Sequence, residues 1–445
     1  MTDKECQAAT SSTQTNHQTI KSLTGGVFSL SFTPWVLLGF FIVFFVDFIY
    51  PTFLSAYHEF RLFPNFPVLK PLGADLHEFL NFSRHMLETG SPYIQPNYYP
   101  PFQAIFFLPL LRPGPDQSFI YLTILSLICF LTLIFCLPAL VEKKHQLRPL
   151  ALFGVVSGLF SYGLWFELER GQFDLLVMGL CFGGIYLYHF YPRWRWLAFA
   201  LFIMSVNIKI YPVVFILCFT RDWRDWKSNL IRWGLLLIAN FAGLFILGWQ
   251  VFLDFLQALT SQLGNPTYWW AGNHSADSFV RVMVESMKDS QGVVAPLRAN
   301  IRWLVLGLQA LYLFCLGGVL IMVYRRRMSA ANPYLLLMLT LGTMVLPSTS
   351  HDYKLSLLVS PVILLLNQLE FHRSGRVWLD SAAIVLVTIF SAAYSSTLFL
   401  HNDLPVWLTN NLPALLIMAA ATVFLMMVRV KQNQQTTCQE FDDLA

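Results

Sequence analysis

The sequence predicts an all-α, polytopic integral membrane protein. Three observations carry that prediction. Hydrophobic residues make up 56% of the 445-residue chain and aromatic residues 16%. Charged residues make up only 12%, where a soluble domain carries about twice that to cover its surface. Apolar runs of about 17–25 residues, the length that crosses a bilayer as a helix, recur along the chain between polar turns.

In chain order, residues 1–32 are polar and rich in Ser, Thr and Gln, and predict a disordered cytoplasmic tail. No short apolar core with a small-residue cleavage site opens them, so they do not form a signal peptide. Spans are predicted at Pro34–Tyr50, Ser118–Leu140, Leu150–Phe166, Leu175–Phe190, Arg232–Phe252, Ile301–Tyr324, Pro333–Pro347, Leu355–Leu369, Val377–Leu400 and Pro405–Val428. Pro101–Leu111 is short, and Leu197–Phe219 is divided by Lys209 and Pro212, so each either crosses or re-enters. The expected total is about 10–13 transmembrane helices. Residues 33–428 form the membrane domain, with large external loops at 51–99 and 253–300, and 429–445 form a second cytoplasmic tail.

The basic clusters Lys143/Lys144/Arg148, Arg193/Arg195, Arg221/Arg224/Lys227, Arg325/Arg326/Arg327, Arg373/Arg376 and Arg429/Lys431 share one side if both ambiguous stretches re-enter. That side is cytoplasmic by the excess of Lys and Arg on inner loops. The net charge of +4 is small and scattered over segment ends, so no nucleic-acid partner is expected. Seven cysteines, five of them in apolar segments, match neither a disulfide framework nor a metal site.

The first external loop contains "LGADLHEFLNF", Leu72–Phe82. Leu76–Glu88 has helical periodicity: Leu76, Phe79, Leu80, Ser83, Met86 and Leu87 share one face, and Glu78, Asn81, Arg84, His85 and Glu88 the other. An interfacial helix is expected there. Asp75 at its head, with Glu78 three residues on, reads either as an N-cap with its capping box or as a carboxylate kept for chemistry. His77, Glu78 and His85 do not form a zinc site, because eight helical residues hold the two histidines about 12 Å apart. Nucleotide-binding glycine loops, a paired-Asp metal motif and HExxH are absent, and neither metal nor cofactor is expected.

Further on come "GSPY" (Gly90–Tyr93), "YPP" (Tyr99–Pro101) opening a short apolar helix with Pro109–Leu110, "ELERGQFD" (Glu167–Asp174), "NIKIYP" (Asn207–Pro212) and "NHSADSFVR" (Asn273–Arg281). In order and spacing, from Pro34 to Arg281, this set resembles glycosyltransferase family 87, the polyprenol-phosphate-mannose-dependent mannosyltransferases of the GT-C superfamily. The pattern there is an Asp in the first external loop, G-x-P-Y, Y-P-P, P-L, G-Q-x-N and K-x-x-P. The chain departs from it at Asp174, where the family usually carries Asn.

The resemblance implies a GT-C-like fold. It also implies inverting transfer of a hexose, mannose in the family, from a polyprenyl-phosphate sugar to a glycan or glycolipid hydroxyl at the external face of a bacterial inner membrane. A hydroxyl needs a carboxylate to take its proton, and Asp75 is placed for that. The departing phosphate needs a cation in a water-poor site, and Lys354, His351, Arg281, Arg170 and Lys209 are the candidates. Their alternative role is ordinary helix-end charge. Tyr93, Tyr99, Gln172, Trp269, Trp270 and His274 are candidates for holding donor or acceptor, although tryptophans in such a loop serve a headgroup belt equally well. A secondary transporter or lipid flippase is the alternative, since charges between apolar spans and a broken helix at Lys209 also fit it. Against it, the two halves of the chain show no internal repeat.

Overall fold

The computed structural model describes residues 72–94, 97–142, 149–159, 161–262, 265, 269–270, 272–287, 294–368 and 410–442. The first tail, the spans at 34–50 and 377–400, and residues 51–71 and 95–96 of the first external loop lie outside the described residues. Among the described residues all regular structure is helical, and β pairing is limited to an isolated bridge between Asn273 and His351.

Helix α1 (Ala74–Thr89) is the predicted amphipathic segment. Leu76, Phe79, Leu80, Ser83 and Met86 are buried as the periodicity requires, and Phe82 joins them. Leu87 instead is 66% exposed, one residue past the edge of the buried stripe. The buried face meets aromatic rings: Phe79 lies 5.2 Å from Phe107, 4.9 Å from Phe173 and 5.3 Å from Tyr99, centroid to centroid. Each fully buried ring contributes about 1.5–3 kcal/mol. Helix α2 (Pro101–Phe107) starts on the proline that tolerates a first turn and runs into a tight 3₁₀ turn, Leu108–Leu111. The Ser83 hydroxyl donates to the Ala104 carbonyl at 2.8 Å and ties α1 to α2.

The predicted capping box does not form. The cap residue is Gly73, in the left-handed conformation at φ 69, and among the described residues no side chain caps the helix. Its N–H donates to the Glu169 carbonyl at 2.8 Å, a tertiary partner that replaces Glu78.

Helix α3 (Pro115–Leu131) continues through a π-turn at Thr132–Cys136 into α4 (Leu137–Glu142). Then come α5 (Pro149–Leu159), α6 (Tyr162–Arg170), α7 (Asp174–Phe190), α8 (Arg195–Ile208) and a 3₁₀ helix at Tyr211–Phe219. The second half holds α9 (Trp226–Gly243), α10 (Trp249–Gln262), α11 (Ala276–Ser286), α12 (Val294–Ala299), α13 (Ile301–Arg325) and α14 (Pro333–Val345). A 3₁₀ helix at Asp352–Leu358, α15 (Val359–Gln368) and α16 (Leu412–Asp442) follow.

Fewer unbroken spans are found than the hydropathy suggests. Among the described residues, Pro115–Val141 (mean hydropathy 2.8) and Ile301–Arg325 (2.3) are long and apolar enough to cross a bilayer, with a third if Ser157–Arg170 and Asp174–Phe190 form one bent span. The physical reason is that apolar runs are interrupted. Leu197–Phe219 breaks at Lys209, as expected, but Arg232–Phe252 also breaks, at Leu244–Gly248. The loop expected at 253–300 contains α11, α12 and most of α10, and α16 continues to Asp442, into the expected tail. The protein is nonetheless an all-α polytopic membrane protein. Every residue of α14 is buried, whereas α13 exposes Phe314 (80%) and Trp303 (70%) and α9 exposes Ile231 and Ile238. That pattern is inverted relative to a soluble bundle, and it suits apolar surroundings.

Helices α7 and α8 pack as an antiparallel hairpin. Its turn carries Arg193, Trp194, Arg195 and Trp196, and its open end carries Asp174 and Lys209. At the rise of an α-helix these ends are about 20–25 Å apart.

At the start of α1 two glycines meet. Gly171 closes α6 in the left-handed conformation at φ 67, and a Cβ there would stand 2.8 Å from Leu76 Cβ and 3.3 Å from Gly73 Cα. Gly171→Ala should therefore destabilise the protein by about 1–3 kcal/mol, from backbone strain together with the clash. Gly234→Ala, in a helix with nothing within 4 Å, should not. Thermal unfolding in detergent measures both, and equal melting temperatures would show that the Gly171 contact is loose.

Candidate active site

The α6–α7 turn brings the candidate residues together. Helix α6 starts on the Ser161 cap, whose hydroxyl accepts from the Leu164 N–H, and its last carbonyls receive the N–H groups of Gly171 and Gln172. The chain reverses at Gly171, so Arg170 and Gln172 flank the turn, and α7 opens at Asp174. Because Gly73 is docked on this turn, Asp75 lies opposite both residues. Arg170 Nη2 donates to Asp75 Oδ1, and Gln172 Nε2 donates to Oδ2 at 2.5 Å. Asp75 is thus held by tertiary partners and does not cap its helix, which settles its local structure against the capping alternative.

Behind Gln172 stands Lys209, in the break between α8 and the following 3₁₀ helix, and 4% exposed. Its ammonium donates to Gln172 Oε1 at 2.8 Å and to Asp174 Oδ2 at 2.5 Å. It lies 4.2 Å from the centroid of Phe173 and 5.5 Å from those of Tyr99 and Tyr353, so aromatic faces take its remaining side. Tyr93 donates its hydroxyl to the Tyr99 carbonyl at 2.8 Å and fixes the loop that presents Tyr99.

Glu167, fully buried one turn before Gly171, accepts from the Leu175 N–H at 2.7 Å and from the Ser356 hydroxyl at 2.5 Å. It therefore caps α7 and ties α6 to the Asp352–Leu358 helix. That helix carries Lys354, 9% exposed. The Lys354 ammonium donates to the Thr349 carbonyl at 3.0 Å and sits 5.3 Å from the Tyr211 ring centroid. Arg170, Lys209 and Arg281 are each paired with a carboxylate, namely Asp75, Asp174 and Asp277. Lys354 has no carboxylate partner among the described residues.

The outer candidates form a second cluster. Asn273 donates to the Ser348 carbonyl and accepts from the Ser350 N–H at 2.7 Å, and the His274 N–H donates to the Ser350 carbonyl. His274 Nδ1 accepts from the Asn411 N–H at 3.3 Å, so its proton is on Nε2, which donates to Asp352 Oδ1 at 2.8 Å. Both nitrogens of His274 are engaged inside the protein and the residue is fully buried. Trp270 Nε1 donates to His351 Nδ1 at 3.2 Å. Trp269 instead faces the Arg281 guanidinium at 4.5 Å.

Sequence reasoning singled out Asp75, Gln172, Lys209 and Lys354 but passed over Glu167, Asp352 and Ser356 as working parts. Their signal was present, since an acid inside an apolar helix is expensive without a partner.

Burial, with Lys354 beside it, pushes His351 down to about 3, in agreement with an Nδ1 that accepts a hydrogen bond. His351 is therefore neutral near pH 7, and with Nδ1 accepting from Trp270 its proton is on Nε2. The unfolded chain binds a proton on this histidine below about pH 6.5 and the folded protein does not. Stability from this group is thus present above that pH and is lost as pH falls toward 3. Between about pH 7.5 and pH 5, the wild type should lose more melting temperature than His351→Asn, which keeps an acceptor for Trp270. Identical losses would mean that the folded histidine protonates.

A model of glycosyltransferase family 87 matches residues 97–361. No curated protein and no solved structure matches the chain. The matched region takes in Tyr99, Arg170, Gln172, Lys209, both outer tryptophans and Lys354, and it begins after Asp75.

Proposed function

Because the chain belongs to glycosyltransferase family 87, we propose that this membrane glycosyltransferase moves a hexose, mannose by resemblance, from a polyprenyl-phosphate sugar to a hydroxyl of a cell-envelope glycan or glycolipid. Transfer inverts the anomeric centre, and the site faces the outside of a bacterial inner membrane. The observation that carries the reading is that unlike groups lie around Asp174: a carboxylate, Asp75, joined to it through Gln172 and Lys209, and a buried cation without a carboxylate among the described residues, Lys354, joined to it through Tyr211.

Asp75 accepts two hydrogen bonds, and a carboxylate has about four lone-pair sites, so it retains capacity for the acceptor hydroxyl. As the hydroxyl oxygen bonds to the anomeric carbon, its proton passes to Asp75. The bond from that carbon to the phosphate oxygen breaks with its electron pair, leaving polyprenyl phosphate. Lys354 offsets the charge that develops there, in surroundings where aromatic walls keep water low. His351 supplies a neutral N–H, and Tyr99, Trp269, Trp270, Tyr93 and His274 line or brace the region where sugar rings would lie. Arg281, held by Asp277 and Trp269, stands at its rim. Membrane lipids are the surrounding partner, and the reading uses neither metal nor cofactor.

The test is transfer from radiolabelled polyprenyl-phosphate-mannose to extracted cell-envelope lipids and glycans by purified protein. Asp75→Asn should lose at least ~10²-fold in turnover, the scale of general-base loss, while retaining its melting profile. Asp75→Glu should keep little activity, since acid–base geometry is tight. Full activity of well-folded Asp75→Asn would place the base elsewhere. Lys354→Met should lower turnover by about 10²–10³-fold, with partial recovery in Lys354→Arg. An unchanged rate in Lys354→Met removes it from the donor site. Substrate counterflow by empty proteoliposomes without a glycosidic product would instead support transport.

A further inference from the structure

We propose that Lys209, Gln172 and Asp174 are positioning residues, forming a buried relay in which the Lys209 charge acts on Asp75 through the Gln172 side-chain amide. The relay rests on the reading of Asp75 as the base, and it removes Lys209 from the groups that hold the donor phosphate.

The direction of the relay follows from which atoms can donate. An ammonium has donors only, and it lies 2.8 Å from one end of the Gln172 amide, which must therefore be the oxygen. The NH₂ end is then the one that faces Asp75, at 2.5 Å. Both oxygens of Asp75 thus accept, one from Arg170 and one from Gln172, so the amide holds the base in a fixed orientation. Charge-assisted bonds of this kind are about twice as strong as neutral ones and polarise one another in series. Lys209 has no donor left for a ligand: two N–H groups go to Gln172 and Asp174, and the remaining side meets the Phe173 ring at 4.2 Å.

Asp174 determines how much positive charge remains to act. It is fully buried and opens α7, and its Oδ1 has no hydrogen-bond partner among the described residues. With Asp at this position the pair with Lys209 is neutral in sum, so the relay orients Asp75 without adding net charge. An amide at 174 would still accept from Lys209 but would leave the cation uncompensated behind Gln172. The departure from the family pattern is thus a change in the electrostatics of the base rather than in its contacts.

Other groups near Asp75 are Arg170 from α6, Glu78 one turn along α1, Tyr99 from the loop before α2 and Tyr353 from the Asp352–Leu358 helix. Helix α2 and the Leu108–Leu111 turn carry no ionisable residue, and α3 meets Gly73 with Phe119. The relay predicts shifts of opposite sign in the acid limb of the pH–rate profile. Asp174→Asn exposes Asp75 to more positive charge, so the limb should move to lower pH by about one unit, with lower turnover and unchanged donor KM. Gln172→Glu places a second carboxylate against Asp75, so the limb should move up by about one unit. A general loss of packing moves both variants in the same direction or neither.

The experiment measures the pH dependence of transfer in wild type, Asp174→Asn, Gln172→Glu, Lys209→Met and Asp75→Asn, each checked for native melting. Opposite shifts, together with a turnover defect at constant donor KM in Lys209→Met, support the relay. A rise in donor KM for Lys209→Met with the limb unmoved would return Lys209 to the phosphate and overturn it. Asp75→Asn separates the two claims: if it keeps wild-type activity and its acid limb, the base reading fails. If it loses both while Asp174→Asn and Gln172→Glu leave the limb in place, the relay alone fails.

Discussion

A lysine ammonium that is 4% exposed cannot stand alone, because the cost of removing it from water exceeds what an apolar site returns. Lys209 meets that constraint with a carboxylate, an amide and aromatic ring faces, and each partner comes from a different place in the chain. Asp174 requires α7 to begin where α8 ends. Gln172 requires α6 to stop and reverse at Gly171. Tyr99 and Tyr353 bring in the loop before α2 and the helix after α14. Satisfying one buried charge therefore fixes the mutual position of the elements that carry the site.

The glycine contact transmits this order to Asp75. Gly171 and Gly73 both adopt left-handed backbone, and neither has room for a side chain. The N–H of Gly73 reaches the Glu169 carbonyl at 2.8 Å only because the two backbones approach closely. That approach sets Asp75 against Arg170 and Gln172, and the rings around Phe79 hold α1 in place. Removing water from such a wall strengthens each bond within it.

The outer cluster is built on different principles. His274 pairs with Asp352 and Asn411, and Asn273 with Ser348, Ser350 and Asn410, so they join the segment before α11 to the turn after α14 and the start of α16. This leaves Lys354, two residues from Asp352, fixed by its backbone yet committed to no acid. Among the described cations of the region, Arg170, Lys209 and Arg281 are thus each paired with a carboxylate, whereas Lys354 is not.

The sequence by itself determined the all-α membrane class, since charge scarcity and apolar run length bear on burial in lipid whatever the topology. It also determined the amphipathic α1, the break at Lys209 and the identity of most polar residues at the site, because Asp75, Gln172, Lys209 and Lys354 are conspicuous in so apolar a chain. The tertiary structure alone decided their partners. Asp75 reads equally well as a cap until Arg170 and Gln172, 95 and 97 residues away, are brought to it. Capping is a local property of a few neighbouring residues, whereas an ion pair across such a separation depends on how a distant turn packs. The breaks within Arg232–Phe252 and Leu150–Phe166 escaped the hydropathy for a related reason. Hydropathy sums composition over a window, and a helix stops where packing and backbone geometry, not composition, require it.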